Sequence, residues 1–175
     1  EKQNRTFPLF YDITDWNICF FGAGAVAERR IKTLLKYPCK IYIISEKATK
    51  VIEEMAQKGT LIWIKEEITM DKGKQQIMEI WQNIKWKKQY QKYFLKEKDF
   101  QMVFACTNQR EINQMIYEYC KLQGIRVNIA DCRQQSDFYF PGLLKCEDLV
   151  IGVTGNGKNH KKVKQVMDKL RKLFC

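Results

Sequence analysis

Apolar residues along this chain fall into short unbroken blocks separated by stretches of helical period. Asn17-Ile18-Cys19-Phe20-Phe21 carries no polar alternation and stops at glycine, the pattern of a strand covered on both faces. Val26, Ala27, Ile31, Leu34 and Leu35 then recur on one helical face, with Glu28, Arg29, Arg30 and Lys32 opposite and Pro38 beyond. Ile41 to Ile44 predicts a second strand, and Val51, Ile52, Met55 and Ala56 a second helix closed by Gly59. Leu61 to Ile64 predicts a third strand. The Lys-rich, aromatic stretch from Asp71 to Lys98 reads as helical and is longer than a crossover requires. Met102 to Ala105 restores the pattern as a fourth strand. Asn108 and Glu111 are spaced as a capping box before a helix carrying Ile112, Met115, Ile116 and Tyr119, with Gly124 as its stop. Arg126 to Ile129 is a fifth strand. Strands alternating with helices argue for a parallel sheet with right-handed crossovers.

Beyond Asp131 the texture changes. A polar turn leads to Phe138, Phe140 and Pro141, then a strand at Leu149 to Ile151 and a basic amphipathic helix from Lys161 to Phe174. The expected division is residues 1–133 as the sheet domain and residues 134–175 as a small α+β appendage ending in that helix.

Composition narrows the class. With 175 residues, 45% hydrophobic, 9 Gly and 3 Pro, the chain is neither a disordered tail nor a fibrous repeat. A formal net charge of +11 favours polyanionic partners: nucleic acid, an acidic membrane surface, or a small molecule rich in carboxylates or phosphates. Seven cysteines, no C-x-x-C pair and a single histidine, His160, argue against a Cys/His metal site and for free thiols in a reduced, cytoplasmic protein. The apolar run Ile18 to Ala27 falls short of the roughly 20 residues that span a bilayer, so no membrane association is expected.

The sharpest chemical signal is Gly22-Ala23-Gly24-Ala25-Val26-Ala27, G-x-G-x-x-A between a buried strand and an amphipathic helix. The first glycine permits a tight turn, the second lets backbone approach a pyrophosphate, and the small third residue lets helix and strand pack closely. Gly22, Gly24, Ala25 and Val26 are therefore candidate dinucleotide contacts, although a glycine turn that merely packs has the same letters. An acidic residue about 20 positions on holds the ribose hydroxyls in such folds. Ser45-Glu46-Lys47 matches it: Glu46 favours NAD over NADP while adjacent Lys47 pulls the other way, and an exposed loop carboxylate fits position 46 equally well. Thr107, ending the fourth strand, lies on the same carboxyl edge and serves equally as a cap. Asp131 ends the fifth strand there, where a carboxylate can take a proton while a nicotinamide accepts hydride; a turn-forming Asp fits as well.

Taken in order, several motifs resemble the precorrin-2 dehydrogenase family, the sirohydrochlorin-forming domain of siroheme synthases. They are Phe7-Pro8-Leu9-Phe10, Gly22 to Ala27 with Glu28-Arg29-Arg30, Ala105-Cys106-Thr107 with Asn113, Val127-Asn128-Ile129-Ala130-Asp131, and Phe138-Tyr139-Phe140-Pro141. The resemblance implies a Rossmann-like doubly wound sheet, a dimerisation segment and a helical C-terminal part. It also implies NAD-dependent oxidation of an anionic tetrapyrrole in siroheme biosynthesis, by a homodimer, with some relatives inserting iron as well. Asp131 takes the place of the family's key carboxylate. Asn128, Arg29, Arg30 and Lys158 are candidates to hold the substrate, whose carboxylates suit the positive charge. Between Thr154 and His160 the chain lacks the family's usual Ser-Pro step, which bears on the chelatase activity. A different class, a non-enzymatic NAD-binding regulator that uses its basic surfaces on nucleic acid, lacks any helix-turn-helix or zinc-finger pattern to support it.

Overall fold

Strand β1 (Asn17–Phe21) sits at the centre of a five-stranded parallel sheet because both of its faces are apolar. It pairs with β2 (Lys40–Ile44) on one side and β4 (Met102–Ala105) on the other, while β3 (Ile62–Ile64) and β5 (Arg126–Ile129) form the edges. The order β3-β2-β1-β4-β5 reverses direction between β1 and β4, the switch point at which such sheets open a ligand crevice. This computed structural model describes residues 6–86, 100–155 and 159–174, without the side chains of residues 82–86.

Alternate residues of each strand face opposite layers. Cys19 and Phe21 of β1, with Tyr42, Ile44, Val103, Ala105, Val127 and Ile129, form one buried face. Ile77, Ile80 and Trp81 of α3 (Gly73–Trp86) cover it, as do Ile112, Met115, Ile116 and Cys120 of α4 (Arg110–Leu122). On the opposite face Phe20 stacks on Phe104 at 4.4 Å, and α1 (Ala25–Leu34) lies over them with Ala27, Ile31 and Leu34 buried. Helix α2 (Lys50–Gln57) buries Ile52 and packs beside β3. Helices on both faces make the sheet doubly wound, as the alternation of periods predicts.

The exposed edge of β5 is closed by side chains rather than by another strand. Asp137 Oδ2 accepts from Val127 N at 3.0 Å, its own N–H donates to Val127 O at 3.0 Å, and Ser136 Oγ accepts from Ile129 N at 2.9 Å. A 3-10 turn at Arg133–Gln135 brings both residues back to that edge.

Contact density divides the chain into Thr14–Asp137, which holds the sheet, and a second unit of Glu1–Ile13 with Phe138–Cys175. In the second unit β6 (Gly142–Cys146) and β7 (Leu149–Val153) form an antiparallel hairpin. Helix α5 (His160–Phe174) packs Val163, Met167 and Leu170 on Leu144, Cys146, Ile151 and Val153. Asn159 caps α5, its Oδ1 accepting from Lys162 N at 2.9 Å.

Several expectations shift. The sequence pattern shows no strand at β6, because its partner is the neighbouring β7 and its inward residues are few. Helix α4 starts after Gln109, not Asn108, and no side chain caps it; Thr107 and Asn113 hold that turn instead, so the capping box is not formed. Val26 is 41% exposed and therefore lies off the buried stripe of α1. Free thiols hold for Cys19, Cys39, Cys106, Cys120 and Cys132, but Cys146 is disulfide-bonded. It belongs to the small core of the second unit, where little apolar area is buried and a covalent tie adds most. The aromatic and lysine pattern past Trp86 lies outside the described residues. Trp81 itself is buried in the core.

Two of the free thiols give the fold an alkaline limit. Burial, with Asp137 adding to it, pushes Cys120 from its ordinary 9.0 up to about 12, and burial first, then Cys120, raises Cys19 well above the usual value. An acid whose folded pKa exceeds its unfolded one binds more protons in the native state at high pH. Stability is therefore unaffected below the unfolded value of about 9 and falls as pH climbs towards the folded one. The expected slope is up to about 1.4 kcal/mol per pH unit for each thiol. Urea midpoints taken from neutral pH to strongly alkaline pH should decline more shallowly in Cys120→Ala than in the parent; parallel curves would remove Cys120 from the effect.

Candidate functional site

The sheet's carboxyl edge is a single line of backbone. Gly22 N donates to Ile44 O at 3.0 Å, Cys106 N to Phe21 O at 2.8 Å, Ser45 N to Ile64 O at 3.1 Å and Ala130 N to Ala105 O at 2.9 Å. Each ladder thus runs one residue past its strand, and the loops that follow leave from one level. Gly22, Ser45, Thr107 and Asp131 all stand on or just past that line.

Gly22 turns the chain with φ at +93°, and a Cβ there would lie 2.6 Å from the carbonyl oxygen of Cys106. Only glycine fits between the first loop and the backbone leaving β4. Gly24 differs. It is the N-cap residue of α1 in extended backbone (φ −83°, ψ −172°), with no side-chain cap, and a Cβ built on it meets nothing within 4 Å. The first-turn amides of α1, on Ala25, Val26 and Ala27, have no acceptor inside the helix. The glycine loop therefore presents open space in front of uncapped amides at the positive end of a helix, which suits a pyrophosphate. Ala27 is fully buried beneath it, the small third residue of the motif.

The loop after β2 is tied to this one, Thr49 N donating to Ala23 O at 3.1 Å while Thr49 Oγ1 caps α2 by accepting from Ile52 N at 3.4 Å. Ser45 Oγ donates to Lys47 O at 2.7 Å, and Ser45 O accepts from Trp63 Nε1 at 2.9 Å. The Glu46 carboxylate is exposed, 3.8 Å from Lys47 Nζ. Its ion pair with an exposed lysine is of the kind worth little in water.

Across the switch point, Thr107 and Asp131 are joined by Asn113. Asn113 Oδ1 accepts from Thr107 N at 3.0 Å, and its Nδ2 donates to Thr107 O at 3.1 Å and to Asp131 Oδ1 at 3.2 Å. Asn113 is wholly buried whereas Asp131 is exposed. Sequence reasoning alone assigns Asn113 no role beyond its place in a motif. The signal was available, because position 113 shares the inward stripe of Ile116 and Cys120 and a polar residue is out of place there.

Arg30 and Asn128 have partners inside the protein. Arg30 Nη1 donates to Asn128 Oδ1 at 2.8 Å, lies 3.4 Å from Cys106 Sγ, and the guanidinium covers the Phe104 ring at 5.4 Å. Burial lowers the Arg30 pKa, and it raises that of Cys106 against the opposing pull of Arg30. The pair ties α1 to β4 and β5 beneath the loops and so fixes where the α1 N-terminus stands. Arg29 is exposed on α1, and Lys158 lies outside the described residues. Among the described residues no group of three or more His, Cys, Asp or Glu side chains is placed to hold a metal ion, and no helix is long and apolar enough to cross a membrane.

The model of an NAD(P)-binding family matches residues 9–142. The chain is 32% identical over 171 residues to the probable multifunctional siroheme biosynthesis protein HemA of Ruminiclostridium josui, covering 95% of this chain and 28% of that one. It is 26% identical over 156 residues to the siroheme synthase of Psychrobacter sp., covering 88% of this chain and 27% of the relative. The chain thus spans about a quarter of the length of these curated relatives. Among solved structures it superposes on SirC, a precorrin-2 dehydrogenase, with a TM-score of 0.68 at 16% identity, covering 97% of this chain and 72% of the other, which establishes a shared fold.

Proposed function

The chain belongs to the NAD(P)-binding family whose model spans residues 9–142, and from that premise we propose that it oxidises precorrin-2 to sirohydrochlorin with NAD⁺ in siroheme biosynthesis. The observation that carries the reading is one sheet edge holding both an uncapped helix N-terminus with open space at Gly24 and a fixed carboxylate at Asp131. Its similarity to siroheme-pathway relatives supports the choice of substrate. NAD⁺, when bound, supplies the hydride acceptor.

The chain's own residues do the rest. Backbone amides of Gly24, Ala25 and Val26 would hold the diphosphate, Glu46 with Ser45 and Lys47 would hold the ribose, and Thr107 would line the same cleft. Oxidation removes a hydride and a proton, and Asp131 Oδ1 or Oδ2 takes the proton; exposed, it can release it to water. The anionic tetrapyrrole suits the net charge of +11, with exposed Arg29 as a carboxylate contact and Asn128 and Arg30 bracing the floor beneath. Residues 134–175 form the dimerisation and substrate-side segment. Phe7, Leu9, Phe10 and Leu149, all exposed in the second unit, are the apolar surface a homodimer would cover. Five free thiols suit the cytoplasm, with the Cys146 disulfide as the exception.

The test is to mix the protein with precorrin-2 and NAD⁺ and follow both chromophores. NADH and sirohydrochlorin should appear in equal amounts and only with NAD⁺ present. Absence of NADH, or a steeply salt-dependent affinity for nucleic acid in its place, would overturn the reading.

A further inference from the structure

The inward face of α4 is apolar at Ile112, Met115, Ile116 and Cys120, and a leucine at position 113 would have completed it. An amide in that place is costly to bury unless each polar atom finds a partner. The Asn113 side chain spends its bonds on the sheet's carboxyl edge. Its Oδ1 accepts from Thr107 N at 3.0 Å and lies 2.8 Å from Thr107 Oγ1; its Nδ2 donates to Thr107 O at 3.1 Å and to Asp131 Oδ1 at 3.2 Å. These partners fix the amide's orientation, since a backbone N–H can only donate and a carboxylate can only accept. A staple for the Thr107 loop would need the contacts to Thr107 alone. The bond to Asp131 is additional, and it runs from a rigid, fully buried helix position to an exposed side chain that would otherwise rotate freely.

We infer that Asn113 is a positioning residue for Asp131: it holds the carboxylate in register with the Thr107 loop, so that proton acceptor and cofactor are presented at one fixed separation. This rests on the dehydrogenase reading given above. Aspartate at this position is nearly isosteric. It keeps an acceptor for Thr107 N, loses both donors, and sets a second carboxylate oxygen against Asp131.

The experiment compares the parent with Asn113→Asp and with the neutral, shorter Asn113→Ser, measuring NAD⁺ dissociation by calorimetry and kcat and KM with precorrin-2. Misplacing a reacting group by about 1 Å is worth on the order of 100-fold in rate. The expected result is a fall in kcat of about that size in whichever variants fold, exceeding any loss of NAD⁺ affinity at least tenfold, with KM for precorrin-2 little changed. Equal losses of kcat and NAD⁺ affinity would reduce Asn113 to a loop staple and overturn the inference, as would unchanged kcat in a folded variant or the failure of both variants to fold. A parent that never reduces NAD⁺ with precorrin-2 would overturn the dehydrogenase reading itself, and the inference with it; an active parent with indifferent variants would overturn the inference alone.

Discussion

Gly22→Ala should leave a protein that folds less stably and no longer binds NAD⁺ measurably. The new methyl would sit 2.6 Å from Cys106 O, 2.8 Å from Cys106 C and 2.9 Å from Thr107 N. All three are backbone atoms, held in place by the Cys106 N to Phe21 O bond and by Asn113 on Thr107, so no rotamer change relieves the overlap. The residue also keeps φ at +93°, a region that costs an L-residue about 1–2 kcal/mol. Overpacking adds about 1–3 kcal/mol. Together these amount to about 2–5 kcal/mol, a large share of the roughly 5–15 kcal/mol that holds a domain folded. Any relief must push the glycine loop away from β4, and that displaces the α1 N-terminus on which the proposed diphosphate site rests. Urea denaturation and calorimetric titration with NAD⁺ measure the two effects. Gly24→Ala is the control: its Cβ meets no protein atom within 4 Å and its φ is ordinary, so stability should hold while affinity falls. Parent-like binding by Gly22→Ala would mean that the loop does not carry the cofactor.

Asp131→Ala should fold normally, bind NAD⁺ within a fewfold of the parent, and lose about 10²–10⁴-fold in kcat, the range a positioned proton acceptor contributes. The fold should survive because the side chain is exposed, and because Asn113 Nδ2, deprived of Asp131, keeps its bond to Thr107 O at 3.1 Å. Only one of the two amide hydrogens loses its partner, at the exposed place Asp131 occupied, where water can accept it, so the loss of stability should stay small. Turnover of precorrin-2 followed by NADH absorbance, beside a thermal melt, separates the two consequences. Turnover close to that of the parent would take Asp131 out of the reaction.

Much of the sheet was legible in the chain because buried strands and amphipathic helices write different periods into it. β4 and β5 match their expected limits, and β2 begins one residue before its apolar block, at Lys40. The hairpin strand β6 was not legible, since Gly142 to Cys146 has neither an unbroken apolar block nor clean alternation, and pairing with β7 decides its state. At the site, the glycine loop could be read from spacing, since a turn that admits a pyrophosphate constrains residue size. The Thr107–Asn113–Asp131 network could not, since it joins a loop, a helix and a strand end that only folding brings together.

The sequence by itself determined the alternation of strands and helices and the place of the glycine loop, because these follow from local period and from the size of single residues. Only the tertiary structure decided which polar groups serve the site. Arg30, polar and helical like Arg29, is turned inward onto Asn128 and Cys106. Asn113, set among apolar neighbours, reaches Asp131 at the sheet's carboxyl edge. The reason is that a hydrogen bond depends on distances of about 3 Å between atoms far apart in the chain, and no one-dimensional pattern records such distances.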